Sequence, residues 1–317
     1  MSALLAPFRR RLFGIPAREL AFERRGFRGS DPAMRTRLEQ IGRTFAHGYH
    51  AALENDDLEV LVPRLNSVDL DLQGFAYEGA AMGLALLDFL TPWRRDRFRS
   101  FLQGAGGTHA YMVHVGAGWM LARIPGRVAP RLERFDPLLR WLVIDGYGFH
   151  EGFFHWRRYL EGQPAPARLT GYARRAFDQG LGRCLWFIEG GDAGRIPQAI
   201  SAFPEPRRAD LWSGVGLAVT YAGEVGQSNL VSLRESAGPH RPCLAQGAAF
   251  AAKARLRGGN LVPYTDRACM ALCGLSATAA AQFTDDALQA LPPDGAEPAY
   301  EIWRQRVQAK LASLSRR

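Results

Sequence analysis

The residues best suited to chemistry lie in one short stretch that begins at Asp145 and continues through His150, Glu151 and His155, with glycines and aromatic rings between them. A histidine next to a carboxylate can work as an oriented general acid or base. We therefore expect Asp145, His150 and Glu151 to be catalytic, and the ring of Tyr147 to hold a substrate. The alternative is that His150 is a hydrogen-bonded core residue and His155 a surface residue.

Metal chemistry fits this stretch poorly. Two histidines that bind zinc from one helix stand four residues apart, on one face, whereas His150 and His155 stand five apart, about 140° around a helix. Cys269 and Cys273 do share a helical face, but no third cysteine or histidine is close to them in the sequence. We predict no metal site, and small buried side chains at both cysteines.

A second set of candidate residues stands one or two positions before a glycine that recurs along the chain. The polar residues directly before that glycine are Glu78, Asp145, Gln179, Ser213 and Gln246, and the positions one further back add Tyr77, His114, Asp178 and Trp212. If these positions are equivalent in a repeat, they face one common wall. We then expect Asp178 to be catalytic, and a substrate to be bound by Glu78, His114, Trp119, Gln179, Trp212 and Gln246. The alternative is a set of buried polar groups that satisfy the backbone where helices cross.

The recurring glycines themselves predict the architecture. A glycine followed two residues later by glycine or alanine recurs at Gly79, Gly116, Gly146, Gly180, Gly214 and Gly247. The steps between them are 37, 30, 34, 34 and 33 residues, a range typical of stacked helical hairpins. Because glycine within a helix costs about 1 kcal/mol relative to alanine, a close approach between helices must compensate. We predict an all-α fold, a solenoid-like array of helical hairpins with a repeat of about 34 residues.

The start of the chain differs from the rest. Residues 1–30 are basic and contain three glycines, and we predict a basic N-terminal arm there. The sequence Ser30-Asp31-Pro32 is typical of a helix start. Residues 31–317 are therefore predicted to form a single all-α helical-repeat domain.

Composition limits the classes of partner. The chain has 317 residues, is 47% hydrophobic and carries a net charge of +9, almost all of it from arginine. No apolar run reaches the roughly 18 residues of a membrane span, and the basic cluster at residues 9–11 follows the first apolar residues, which is the reverse of a secretory signal. We expect a cytoplasmic protein, with peripheral docking on an anionic membrane as the minority interpretation. A basic surface favours an acidic partner such as a carrier protein, and no nucleic-acid-binding motif is found.

Several segments spread over nearly the whole chain carry a family pattern. They are Leu12–Pro16, Arg24–Phe27, Gly74–Met82, Tyr111–Trp119, Asp145–Gly152, Arg175–Arg183, Asp210–Leu217, His240–Pro242 and Ala245–Phe250. Together they resemble the family catalogued as domain of unknown function 1702. Members of that family are encoded beside enediyne polyketide synthases, so the resemblance implies work on a polyketide-derived polyene. It implies no mechanism, no cofactor and no individual site residue.

Two functional hypotheses follow. The first is an accessory protein of enediyne-type core assembly, in which a helical groove binds or processes an extended polyene or its acyl form. The second is a non-catalytic adaptor that joins the polyketide synthase to tailoring or membrane-bound partners. The two differ in where the polar residues lie, because a ligand site needs them in one pocket and an adaptor needs them on an open face. No cofactor is assigned.

Overall fold

The computed structural model describes residues 2–91, 93 and 96–314, with side chains from residue 8 onward. Seventeen α-helices span this part of the chain: α1 (Ser2–Phe13), α2 (Phe22–Arg25), α3 (Pro32–Glu54), α4 (Leu58–Asn66), α5 (Gln73–Leu90), α6 (Arg97–Gln103), α7 (Ala110–Arg123), α8 (Ala129–Leu132), α9 (Arg140–Leu160), α10 (Tyr172–Ile188), α11 (Arg195–Ser201), α12 (Glu205–Ala222), α13 (Gln227–Ser236), α14 (Arg241–Arg257), α15 (Pro263–Cys273), α16 (Ala277–Leu288) and α17 (Ala299–Leu314). Three 3₁₀ turns lie at Ala17–Leu20, Ala105–Gly107 and Gly238–His240. No strand occurs among the described residues, so the prediction of an all-α fold is confirmed.

The local signals in the sequence account for several helix ends. Asp31 caps α3, where its carboxylate accepts hydrogen bonds from the backbone N–H groups of Ala33 and Met34, and Pro32 occupies the first turn as expected. Ser276 caps α16 in the same way, through the backbone N–H of Ala279 at 3.2 Å.

The long helices pack one on the next, in the order α3, α5, α7, α9, α10, α12 and α14. The shorter helices α4, α6, α11, α13 and α15 come between long helices in the chain. The predicted combination of a long glycine-bearing helix and a shorter partner is thus seen in several parts of the chain.

The recurring glycines lie at the contacts between long helices, as predicted. At each of them a Cβ atom would overlap a backbone carbonyl of the preceding long helix. The pairs are Gly79 with Phe45, Gly116 with Glu78, Gly146 with Val115, Gly180 with Asp145, Gly214 with Gln179 and Gly247 with Ser213. From Gly116 onward, the carbonyl always belongs to the residue just before the preceding glycine of the series. A solenoid-like 34-residue repeat is not confirmed by this recurrence.

The row of helices curves until its two ends meet. Arg37 of α3 donates from Nε to the carbonyl of Ala222 at 3.1 Å, and the rings of Phe75 and Tyr221 lie 5.1 Å apart. Arg255 of α14 donates to the carbonyl of Asp71, just before α5, at 3.1 Å. The long helices therefore surround a common interior.

The first 30 residues contain α1 and α2 and pack onto this interior. Ile15, Leu20 and Phe22 are buried members of the main hydrophobic core, and the backbone N–H of Arg28 donates to the carbonyl of Ile188 at 2.6 Å. The proposed boundary between an arm and a helical domain at residue 30 stays a prediction. Within the described ranges, no helix has both the length and the apolar character needed to cross a bilayer.

Candidate functional site

The helices enclose two interior cavities. The first has a cavity volume of about 40 Å³ and lies between α3, α5, α7, α9, α10 and α12. Its aromatic lining consists of Phe45, Phe75, Trp119, Phe149, Phe153, Phe187 and Tyr221. The only ionisable side chains among its lining residues other than Tyr221 are Glu78 and Arg183. A mostly aromatic lining with few polar groups is typical of a small-molecule site.

The second cavity has a volume of about 30 Å³ and lies towards α14 and α17, where Phe250, Tyr300 and Trp303 line it. Four side chains line both cavities, and we call them the junction: Met112, Arg183, Leu217 and Tyr221. The two cavities are thus neighbours that meet at one buried cation.

Glu78 is the buried carboxyl of the first cavity. Its side chain is only 3% exposed, and its Oε1 accepts a hydrogen bond from Nε1 of Trp119 at 3.1 Å. Burial raises the pKa of Glu78 to about 7, opposed by the charge of Arg183 and the bond from Trp119, and reinforced by the charge of Asp145. Near neutral pH this carboxyl can therefore either give or take a proton.

Asp145 and Arg183 form a buried ion pair beside Glu78. Nη1 of Arg183 donates to Oδ1 of Asp145, and Nε2 of Gln179 donates to Oδ2 of Asp145 at 3.0 Å. Burial raises the pKa of Asp145 despite these bonds. Burial alone would lower the pKa of Arg183, but the charges of Asp145 and Glu78 raise it on balance. The structure thus brings Glu78, Asp145 and Gln179 together, as the recurring positions predicted, and adds Arg183.

His150 and Glu151 face a different place, an open cleft beside residues 14–16. Nδ1 of His150 donates to Oε1 of Glu151 at 3.3 Å, and the hydroxyl of Tyr159 donates to Oε2 at 2.7 Å. Burial lowers the pKa of His150, opposed by Glu151. Burial would raise the pKa of Glu151, but the bonds from His150 and Tyr159 lower it on balance. An imidazole oriented by a carboxylate is the arrangement of a general base.

The helix α9 has a break at His155. His155 has non-helical backbone angles, φ −133° and ψ 23°, inside the helix. His155 nevertheless lines the same cleft as His150, together with Arg25 and Arg123. Among the described residues, no group of three or more His, Cys, Asp or Glu side chains is arranged to hold a metal ion. Sγ of Cys273 donates to the carbonyl of Ala245 at 3.3 Å.

Of the remaining candidate residues, Trp119 lines the first cavity, and the others line neither cavity. Asp178 pairs with Arg207 at 2.6 Å, and Nδ1 of His114 donates to the carbonyl of Ala110 at 2.7 Å. Tyr147 accepts a hydrogen bond from Nε of Arg168 at 2.9 Å.

Towards the C-terminal end, Gln246 accepts from the hydroxyl of Ser213 at 2.9 Å and from Arg304 at 3.2 Å. The side chain of Trp212 is buried in the main core. The candidate side chains therefore do not share a single wall.

Among the cavity residues that the sequence did not predict, Arg183 and Tyr221 line both cavities. Arg183 ends the motif Arg175–Arg183 and stands four residues after Gln179, so both lie on one face of α10. The four-residue spacing from Gln179 is the sequence feature that indicates a role for Arg183. No sequence feature indicates Tyr221, because its position at the cavity depends on the contact between α12 and α5.

A basic cleft on the surface adjoins the first cavity. Its charged and titratable lining residues are Arg10, Arg11, Arg43, His47, His50 and Glu54. Leu20 lines both this cleft and the first cavity, and it is only 5% exposed. Leu20 therefore stands between solvent and the interior.

Comparison with known proteins identifies a family. The family model described as "Protein of unknown function (DUF1702)" matches residues 4–311. No curated protein and no solved structure matches the chain.

Proposed function

The chain belongs to the DUF1702 family, and we propose that its central cavities bind an elongated, conjugated chain of polyketide origin during assembly of an enediyne-type core. The observation that carries this proposal is the first cavity, an enclosed space lined by seven aromatic side chains with Glu78 and Arg183 among them. Flat aromatic rings offer large apolar contact area to a flat polyene.

The buried side chains of Glu78 and Arg183 allow such a site to act on its ligand as well as to hold it. Glu78 can exchange a proton near neutral pH, since burial raises its pKa to about 7. It faces the cavity beside Arg183, whose positive charge can stabilise negative charge on a ligand oxygen. We assign to Glu78 the binding and protonation of the ligand's polar end, and to Trp119 and Asp145 the positioning of Glu78 and Arg183.

The proposed partner is an acidic carrier protein, which would dock at the basic cleft next to Leu20. Arg11 and Arg43 lie at that cleft and attract acidic surfaces from a distance. A chain released there would meet the entrance at a high local concentration. Association should therefore weaken as ionic strength rises, because salt screens exposed charges.

The adaptor hypothesis differs in what the interior is for. An adaptor has no use for an enclosed cavity, so filling the cavity would leave its function intact. Leu217→Trp places a larger ring at the junction of the two cavities. In a producing host, this variant should abolish formation of the enediyne-type core while the protein level stays normal. The matched control is Leu70→Trp, at a side chain that is 52% exposed. Full product formation with Leu217→Trp in place would favour the adaptor.

A further inference from the structure

Arg183 has hydrogen-bonding capacity that its protein neighbours do not use. Its Nη1 donates to Asp145, and its guanidinium carbon lies 4.9 Å from the ring centre of Phe149. Among the residues that the structure describes, Nε and Nη2 donate to no other group. A guanidinium carries five N–H donors, and this one is only 5% exposed and lines both cavities. A buried cation with free donors facing an apolar space calls for an anionic oxygen on the ligand.

Glu78 can supply a second contact to the same anion. The two side chains line the first cavity together, and the charge of Arg183 is the main influence that opposes the burial of Glu78. A protonated carboxyl has one O–H to donate. Glu78 accepts its one hydrogen bond from Trp119, so the donor remains available to a ligand.

We propose that the ligand of the central cavities ends in a free carboxylate, which binds Arg183 at the junction and Glu78 in the wall of the first cavity. This inference rests on the proposed function and specifies its ligand as a conjugated carboxylic acid. A neutral hydrocarbon or a carrier-bound thioester lacks the charge that Arg183 recognises.

The other cation among the cavity-lining residues is a poorer anchor. Lys253 lines the second cavity, but its ammonium pairs with Asp285 at 2.5 Å and its side chain is 17% exposed. Arg183 is more deeply buried, and its planar fork matches a carboxylate. The carboxylate therefore lies at the junction, and the conjugated chain extends along the aromatic lining of the first cavity.

Charge balance couples this binding to a proton. Asp145 already neutralises Arg183, so a second carboxylate would leave one negative charge unpaired in the interior. Glu78 removes that charge by staying protonated. The titratable groups that act on Glu78 come from neighbouring helices and are Asp145, Arg183 and Tyr221. The helix α3 contributes only apolar residues to the cavity wall.

The chemistry of a free acid also places the protein in a reaction sequence. Polyketide chains are built as thioesters, so a hydrolysis must come first. In that step the oxygen of water bonds to the acyl carbon, the carbon–sulfur bond breaks, and the thiol leaves with a proton. The protein would take up the acid that this hydrolysis releases.

The test compares a conjugated tetraene fatty acid, trans-parinaric acid, with its methyl ester. Both fluoresce on entering an apolar site, so dissociation constants follow from titration. We expect the acid to bind at least about tenfold more tightly than the ester at about pH 6, since the ester loses the charge-assisted contact to Arg183. Between about pH 6 and pH 8 the affinity for the acid should fall about tenfold, as protons leave Glu78. Affinity for the ester should stay constant.

Two variants separate the contributions. Glu78→Gln keeps a neutral donor, so it should retain the preference for the acid and lose its pH dependence. Arg183→Gln combined with Asp145→Asn removes the ion pair without leaving a lone buried charge, and should bind acid and ester equally. The matched control is Arg28→Gln with Glu189→Gln, a pair at 3.0 Å that lines neither cavity. It should behave as the unaltered protein does.

The outcomes are distinguishable. Equal affinity of the unaltered protein for acid and ester, or an acid affinity that does not change with pH, would overturn the carboxylate inference and leave the proposed function standing. Binding of neither compound would contradict the proposed function itself. If the double variant fails to fold, the pH series on the unaltered protein and on Glu78→Gln still decides.

Discussion

Gly180 lies directly against the backbone carbonyl of Asp145, in a space that no Cβ atom could share. This contact joins α9 to α10, and the Asp145 side chain on the same residue holds Arg183. Asp145 thus takes part in helix packing through its backbone carbonyl and in the candidate site through its carboxylate. Close packing of α10 on α9 is what brings the guanidinium of Arg183 to its carboxylate.

The first prediction concerns this contact. Gly180→Ala should lower the free energy of unfolding by about 1–3 kcal/mol or more, because the added methyl group must push two helix backbones apart. Chemical denaturation measures the loss. Gly226→Ala is the control, since a Cβ at residue 226 meets nothing within 4 Å and its φ is −65°. Equal stability of the two variants would show that the glycine does not serve helix packing.

The glycine series could be predicted from the sequence because each glycine makes the same kind of backbone contact at a regular spacing. The neighbouring positions of Asp145 and Gln179 followed from the same regularity, and their side chains are hydrogen-bonded at 3.0 Å. The spacing of the glycines does not determine the curvature of the row of long helices. Whether the row stays open or closes is decided by contacts such as Arg37 with Ala222, which join residues far apart in the chain.

Only part of the candidate site could be predicted from these regular positions. Glu78 and Asp145 share an interior because equivalent positions on successive helices face the same way. His150 and Glu151 do not join them, since they lie one turn further along α9, where the cleft beside residues 14–16 begins. The partner of Asp145 could not be read from the sequence. An arginine on a helix face is as compatible with a solvent-exposed role as with the buried pair that Arg183 makes.

The second prediction follows from the pKa of Glu78. In the folded protein this pKa is raised from 4.5 to about 7, so the folded state binds the proton more tightly than the unfolded state does. The resulting stabilisation is complete below about pH 4.5 and is lost as the pH rises through about 7, a change of about 3 kcal/mol. Glu78→Gln should therefore be more stable than the unaltered protein at about pH 8 and lose that advantage at about pH 4.5. Asp145 shifts in the same direction, so the difference between the two proteins is the informative quantity. A difference that does not change with pH would contradict the assignment.

The third prediction concerns the dyad in the open cleft. Glu151→Gln should lower the pKa of His150 further, because the carboxylate opposes the effect of burial on that imidazole. Heteronuclear NMR titration of the ring nitrogens measures the shift. Tyr159→Phe is a useful comparison, since it removes the other hydrogen bond to Glu151 and keeps the carboxylate charge. An unchanged His150 pKa in Glu151→Gln would mean that the two side chains do not interact in solution.

The fourth prediction concerns the entry of a ligand into the first cavity. Leu20→Ala should speed the association of the methyl ester of trans-parinaric acid, because Leu20 separates the basic cleft from the first cavity. Stopped-flow fluorescence gives the rate. Leu12→Ala is the control, at a side chain that is 59% exposed and lines neither cavity nor cleft. Identical association rates in all three proteins would place the entrance elsewhere.

The central claim is that the interior formed by the long helices is a binding site for an extended conjugated chain. It is tested most directly by titrating the methyl ester of trans-parinaric acid into the unaltered protein and into Leu217→Trp, because the ester isolates the apolar contacts from the charge of Arg183. The account predicts saturable binding of one ester per chain to the unaltered protein, and its loss in a Leu217→Trp variant that still unfolds cooperatively. Absence of saturable binding, or equal binding to both proteins, would contradict it.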